Sequence, residues 1–462
     1  MVKQLLRLSF AAALCGVLAA QPASDLASRV SELERKMRLL DPGFQSVVLP
    51  VELDRRVQLL EAKMDSLLAA KQAAPPVDQA AAQSSVPPSP TPPAGVPALS
   101  LQPVSVTGDF QKAADGETRL PVAGYMDFHV NKERGDAFRP DFHRFVLLFG
   151  HSFSDRIKFW SELEVEHALV EGGEASGEVA LEQAYLDFLV KPYLNFRAGM
   201  LLAPMGIVNE RHEPPSFNGV ERPFVETVII PTTWRELGFG LTGDLGRGFR
   251  YRAYLASSLD ARRFGAEFGI AEGRSSGLDA SLRNPAKMAR LEFAGVRRLT
   301  LGASFYSGHA GFNTPGVNPR VSIGEFDGRY SFRRLDFRGL FAQTWINRTA
   351  ELNRFLERQT GLNPNVGRQL RGYYAEPAFH VLPRRLGKDL ILFGRYERYN
   401  TQHRMAPGFV PLPQFDRSSW VTGLTFKPTP DVALKFDYVF NRNRSAVVRA
   451  LDGINLGIGW WF

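Results

Sequence analysis

Cysteine is nearly absent from this sequence. Of 462 residues only Cys15 is one, and it falls inside an apolar run from Leu8 to Ala20 that follows Lys3 and Arg7. A basic start, a short apolar stretch and a small-residue site around Val17-Leu18-Ala19 have the layout of an export signal over residues 1–20. Ala12-Ala13-Leu14, just before the cysteine, do not form a lipoprotein processing site. Removal of the signal leaves no cysteine, which excludes disulfides, a thiolate metal site and a Cys nucleophile. Export also excludes nucleic acid as a partner, although a net charge of +8 would otherwise allow it.

Long apolar runs are also missing. No stretch after residue 20 has the length of a membrane helix. Enzyme signatures are absent: the eight histidines form no HExxH and no close pair, and no glycine-rich phosphate loop occurs. No catalytic group, metal or cofactor is expected. Lysine is scarce, since roughly four-fifths of the 56 basic residues are Arg. Arg offers a permanently charged planar fork suited to phosphate and carboxylate, although a GC-rich genome gives the same bias.

What is present falls into three parts after the signal. In residues 24–72, Leu26, Val30, Leu33, Met37 and Leu40 are spaced as a heptad seam, and Leu53, Val57, Leu60, Met64 and Leu67 form a second one beyond Asp41-Pro42-Gly43. Each holds only about two heptads, too few to stand alone. The segment reads as a short α-helical coiled coil that oligomerises, or as a helical pair that packs elsewhere. Residues 73–104 are rich in Pro and Ala and form an extended linker.

Residues 105–462 form the third part, and from about residue 120 the rhythm changes to a period of two. In "IKFWSELEVE", Ile157, Phe159, Leu163 and Val165 alternate with Lys158, Glu162, Glu164 and Glu166; in "VALKFDYVF", Leu434, Phe436 and Phe440 alternate with Lys435 and Asp437. About sixteen such segments of about ten residues occur, a length that suits a tilted membrane strand. Connections alternate between short ones, such as Leu245-Gly246-Arg247 and Pro428-Thr429-Pro430, and long ones at 204–234, 259–285, 347–368 and 400–416. That asymmetry predicts an all-β fold: a transmembrane antiparallel barrel of about 16 strands, apolar outside and wet inside, in the cell outer membrane. The coil would then lie in the periplasm. The run 348–361 has the spacing of a short loop helix.

The closing stretch "NLGIGWWF" fits this scheme. Ile454, Leu456, Ile458, Trp460 and Phe462 would share the lipid face, with Trp461 at headgroup level. Trp460 and Phe462 resemble the assembly signal that Gram-negative outer-membrane proteins present to the barrel-assembly machinery.

Four stretches resemble the porin family typified by the phosphate-selective porins O and P: "LEQAYLDFLV" (181–190), "NFRAGMLLAPMGIVNERHEPP" (195–215), "IIPTTWRELGFGLTG" (229–243) and the closing strand. The resemblance implies a sixteen-stranded barrel, usually a homotrimer, whose loop after the fifth strand folds inward over about 206–234. It departs from the anion-specific members in having no dense lysine cluster, and its N-terminal coil has a counterpart in some sugar-specific porins.

A pore needs a constriction and lining charges rather than a nucleophile. Charge belongs inside, because Arg or Lys facing mid-membrane lipid costs about 2–4 kcal/mol. The alternation makes Arg144, Lys158, Arg197, Arg250, Arg252, Arg290, Arg338 and Lys435 candidate lining cations, with Arg211 and Arg222 from the loop. Glu162, Glu164, Glu166, Asp187, Glu236, Glu292, Asp336 and Asp437 are candidate lining anions. Two readings stay open. The arginines ring a constriction for small anions, or they pair with the acids and brace the wall. The expected function is passive diffusion of small hydrophilic solutes, with moderate anion preference and outer-membrane lipid as surround. The alternative is a barrel anchor whose coil tethers the membrane to the cell wall.

Overall fold

The structure, a computed structural model, describes residues 123–167, 178–277, 282, 284–311, 317–382 and 387–462. The signal, coil and linker expected before residue 105 lie outside the described residues.

Among the described residues sixteen strands follow one another. They are β1 (Ala123–Glu133), β2 (Arg139–Ser152), β3 (Ile157–Glu166), β4 (Glu178–Lys191), β5 (Leu194–Leu202), β6 (Arg235–Gly246), β7 (Phe249–Ala256) and β8 (Ala286–Phe293). The second half comprises β9 (Leu299–His309), β10 (Arg320–Phe332), β11 (Leu335–Ile346), β12 (Gln369–His380), β13 (Asp389–Arg404), β14 (Asp416–Thr429), β15 (Val432–Asn443) and β16 (Gly453–Trp461). Each pairs antiparallel with its sequence neighbours, and β16 closes on β1 with Tyr125 opposite Trp461 and Val130 opposite Leu456. Closure removes every sheet edge, which a bilayer requires because nothing there can satisfy unpaired backbone groups. A short helix, α1 (Thr349–Thr360), lies in the β11–β12 connection where loop-helix spacing is expected.

Tight turns join the strands at one end. Arg247, Arg298 and Arg333 supply the positive φ there, at 55°, 65° and 55°. At the other end the connections are mostly long. The outward positions carry Phe196, Leu241, Phe305, Phe326, Phe341, Trp345, Trp420, Leu434, Phe436 and Leu456, all substantially exposed. A belt of that extent does not face water; it matches the apolar band of a membrane barrel.

The interior is not uniformly wet, contrary to the expectation from sequence. Val321 and Ile323 of β10, Leu340 and Ala342 of β11, and Leu370 and Tyr374 of β12 point inward and are buried against Val225, Ile229 and Ile230 of the β5–β6 connection. Leu259, Phe264 and Ile270 of the β7–β8 connection join the same cluster. Two connections therefore enter the barrel and carry a dry core in with them. Trp461 also differs from expectation. It lies on the inward face, its ring 5.2 Å from that of buried Tyr125.

Candidate functional site: the inward loop and its arginines

Residues 203–234 link β5 to β6 and are buried over most of their length. Pro204, Pro214, Pro215, Pro223 and Pro231 limit the conformations the loop can lose on docking. Pro214–Ser216 forms one 3₁₀ turn and Val225–Ile229 one wide π turn.

Carboxylates hold the loop in place. Glu226 accepts the N–H groups of Ile207 and Val208, both at 2.7 Å, and the Tyr374 hydroxyl at 2.7 Å, so it ties the two legs of the loop to each other and to β12. On the far wall, Glu376 accepts from Asn218 (2.9 Å), Asp437 from the Val220 N–H (2.6 Å) and Glu397 from the Val225 N–H (3.1 Å). On the near wall, His212 Nε2 lies 2.9 Å from Glu182 Oε2, and Arg144 donates to the His212 carbonyl at 3.2 Å. The loop thus crosses the barrel interior instead of lying over its mouth.

Burial alone pushes the His212 imidazole toward its neutral form, but Glu182 and Glu162 outweigh it and raise the pKa above the ordinary histidine value. Burial raises the carboxyls of Glu213 and Glu226. Burial acts in the same direction on Glu221, but hydrogen bonding and charge from His129 overcome it and hold that carboxyl down at about 2.

The candidate cations fall into two groups. Arg144 forks onto Asp127 (3.0 and 3.4 Å), Arg197 onto Asp187 (2.6 and 2.8 Å), and Arg290 lies 2.7 Å from Asp327 and 3.3 Å from Glu325. All three are buried. Arg222 donates to the hydroxyls of Thr232 and Thr233 and so closes the loop on itself. Lys435 is buried with its ammonium 3.9 Å from the centre of the Phe217 ring.

The second group faces the remaining space. Arg252 Nε lies 3.1 Å from Glu210 Oε1 of the loop, and Arg250 Nη2 3.6 Å from Glu292. Arg329, which sequence reasoning did not single out, is 3.4 Å from the same Glu292, and Arg211 acts electrostatically on both Glu292 and Arg329. Arg338 is 3.2 Å from Glu376. In three of these pairs the cation is the more exposed partner: the side chains of Arg250, Arg329 and Arg338 are 38%, 25% and 20% exposed, against 5% or below for Glu292 and Glu376. In the fourth the order reverses, with Arg252 at 9% and Glu210 at 17%. Around Glu292 and Glu376 solvent therefore meets guanidinium more than carboxylate. A small cavity of about 40 Å³, lined by Glu162, Arg197, Glu210, His212 and Trp461 among others, adjoins this region at Glu210.

The docking carboxylates Glu182, Glu376 and Glu397 were also missed. Their inward parity is readable, but their loop partners are not. Phe462 lies where the lipid-face expectation puts it, with its ring stacked on Phe145 at 5.8 Å and its backbone paired to Gly124 in both directions (3.0 and 2.9 Å).

No protein-family model matches the chain. An uncharacterized protein of Aquifex aeolicus (strain VF5) is 36% identical over 330 residues, spanning 69% of this chain and 75% of that protein. The chain belongs to the same family as that protein. Among solved structures, Salmonella typhi OmpF in complex with daunomycin superposes with a TM-score of 0.50 at 12% identity, covering 74% of this chain and 97% of OmpF. An anion-selective porin from Comamonas acidovorans gives 0.49 at 14% identity, covering 74% of this chain and 98% of that one. At 12% identity the likeness to OmpF concerns the fold.

Proposed function

We propose that this protein is an outer-membrane porin, a channel rather than an enzyme, through which small hydrophilic solutes diffuse passively with a preference for anions. One observation carries the reading. The inward loop is docked by wall carboxylates, and at Glu292 and Glu376 the partner left in contact with solvent is arginine. Carboxylates that accept loop N–H groups are withdrawn from the aqueous path, and Arg250, Arg329 and Arg338, with Arg211 acting on the same Glu292, add positive field there, offset in part by Glu210. Phosphate is a fitting anion for planar guanidinium donors. The apolar exterior suits a homotrimer with barrel walls as interfaces, seated in outer-membrane lipid, and Trp460 and Phe462 serve as the assembly signal. The segment 24–72, whose heptad spacing reads as a coil, belongs to the periplasm in this reading.

Purified protein in planar bilayers tests this. Discrete conductance steps, and a reversal potential on the anion side in a KCl gradient, are the expected result. A barrel that inserts without conducting, or a cation-selective potential, overturns it. Titration with phosphate, read as interruption of chloride current, decides the finer question of phosphate binding.

A further inference from the structure

We propose that Asp141, His143 and His167, at the long-loop end of β2 and β3, bind a divalent transition-metal ion of zinc-like chemistry, with Glu166 orienting the two rings. The three residues each offer a ligand atom, and these atoms lie within 4.8 Å of one another. The Asp141 carboxylate faces the same ring nitrogen on both histidines, 3.4 Å from His143 Nδ1 and 2.9 Å from His167 Nδ1. Glu166 sits on the opposite side of both rings, 3.9 Å from each Nε2. That follows the layout of a metal-ligating histidine, with one nitrogen for the ion and the other turned toward a carboxylate, which at 3.9 Å acts here by charge and not through a hydrogen bond. Zinc–nitrogen and zinc–oxygen bonds of about 2.0–2.2 Å draw such atoms slightly closer than they stand here.

Local structure assembles this set on purpose. β2 is shifted in register against β1, with Asp127 opposite Arg144 but His129 opposite Asp141, so two β2 residues face one on β1. A bulge of this kind re-aims side chains, and it turns His143 inward beside Arg144 where simple alternation would send it outward. His167 takes a left-handed conformation, φ 49°, immediately after β3, and its N–H bonds the His143 carbonyl at 3.0 Å. The His129 ring stacks on that of His143 at 4.6 Å.

Charge favours this triad over its neighbour Asp127, His129 and His143, which also meets the distance criterion. Asp127 is already forked by Arg144, whose positive charge opposes a cation there. The ion-pair partners of Asp141 and Glu166 are His143 and His167 themselves. Two carboxylates and two neutral imidazoles offer a charge of −2 to a divalent ion. His167 is half exposed, so an ion reaches the site from solvent, and three protein ligands leave a position for water. Imidazole with carboxylate suits zinc, nickel and copper more than calcium, which takes six to eight oxygens.

The test is calorimetric titration of full-length, chelator-stripped protein in detergent with Zn²⁺. One ion should bind per chain and remain bound in about a hundredfold excess of Ca²⁺. His167→Ala, at an exposed position that the barrel does not need for folding, should weaken binding at least about tenfold, and Glu166→Gln about 10–100-fold. His129→Ala should retain the ion. Absence of saturable binding, displacement by Ca²⁺, or loss of binding in His129→Ala with retention in His167→Ala would each overturn the assignment.

Discussion

Arg252 of β7 and Glu210 of the inward loop form an ion pair 3.1 Å long between wall and loop. It bears on selectivity because Glu210 is a negative charge of the loop held at the wall beside Arg252, next to Arg211 in the chain. Charges within a Debye length of about 8–10 Å of a permeating ion act on it strongly. Glu210→Gln should therefore move the reversal potential in a KCl gradient further toward chloride. Arg250→Ala with Arg252→Ala should move it toward potassium, a several-fold fall in the chloride to potassium permeability ratio. Equal potentials in all three proteins would place the ion path elsewhere.

His212 is the loop's latch on β4. Replacing it by Ala leaves Glu182 buried without its 2.9 Å partner and beside Glu162 and Glu164. Truncating one member of a buried charged pair costs roughly 3–5 kcal/mol, and here the loss is localised to loop docking. The expected readout is noisier single-channel current and higher mean conductance, with unchanged mobility of the unheated barrel on denaturing gels.

Acid should close the channel. A histidine whose docked pKa is raised stabilises docking fully below its free value of about 6.5, and that contribution disappears as pH climbs through the raised value. Glu213 and Glu226, raised by burial, oppose docking above the ordinary carboxyl range and cease to oppose it as they take up protons. Both effects tighten the loop as pH falls. Glu221, held at about 2, loses its contribution only in stronger acid. His212 faces Glu182, Glu162, Tyr125 and the bound Arg144, so it titrates within this cluster and not alone. Conductance should fall from pH 8 to pH 5, and His212→Ala should flatten the part of the curve above neutrality. A rise on acidification would contradict the loop account.

Gly124 occupies the closing seam. A Cβ there would stand 2.2 Å from the Val146 carbonyl oxygen and 2.8 Å from the Phe462 ring. Gly124→Val should prevent closure, seen as loss of the heat-modifiable folded band, whereas Phe462→Leu should leave the backbone pairing intact and only slow assembly.

The barrel was legible in the sequence because membrane strands sort their side chains by face. All sixteen segments lie within a few residues of the observed strands, and the inward loop follows from its length, its prolines and the family resemblance. Pairing was not legible. Arg197 and Asp187 are register partners, as are Arg250 and Glu292, and register depends on bulges that no local pattern announces. The dry interior core was hidden because alternation inverts there: Val321, Ile323 and Leu370 point inward while Arg320, Ser322, Gln369 and Arg371 hold the outward parity, so a rule that sends apolar residues to lipid places them on the wrong face. Trp461 was misplaced because an aromatic beside two others looks like interface, although its odd parity with Asn455 and Gly457 points it inward. The three histidines stand 14 and 24 residues apart at positions 129, 143 and 167, and only strand pairing gathers them.

The pairing of β1 with β16 joins segments separated by most of the barrel's length. A polypeptide halted anywhere before β16 is left with two raw margins, and each one recruits any neighbouring strand it meets. Biogenesis of this protein is therefore all-or-nothing. The hoop is worthless until its final stave arrives, and the cell must keep every unfinished copy chaperoned until then.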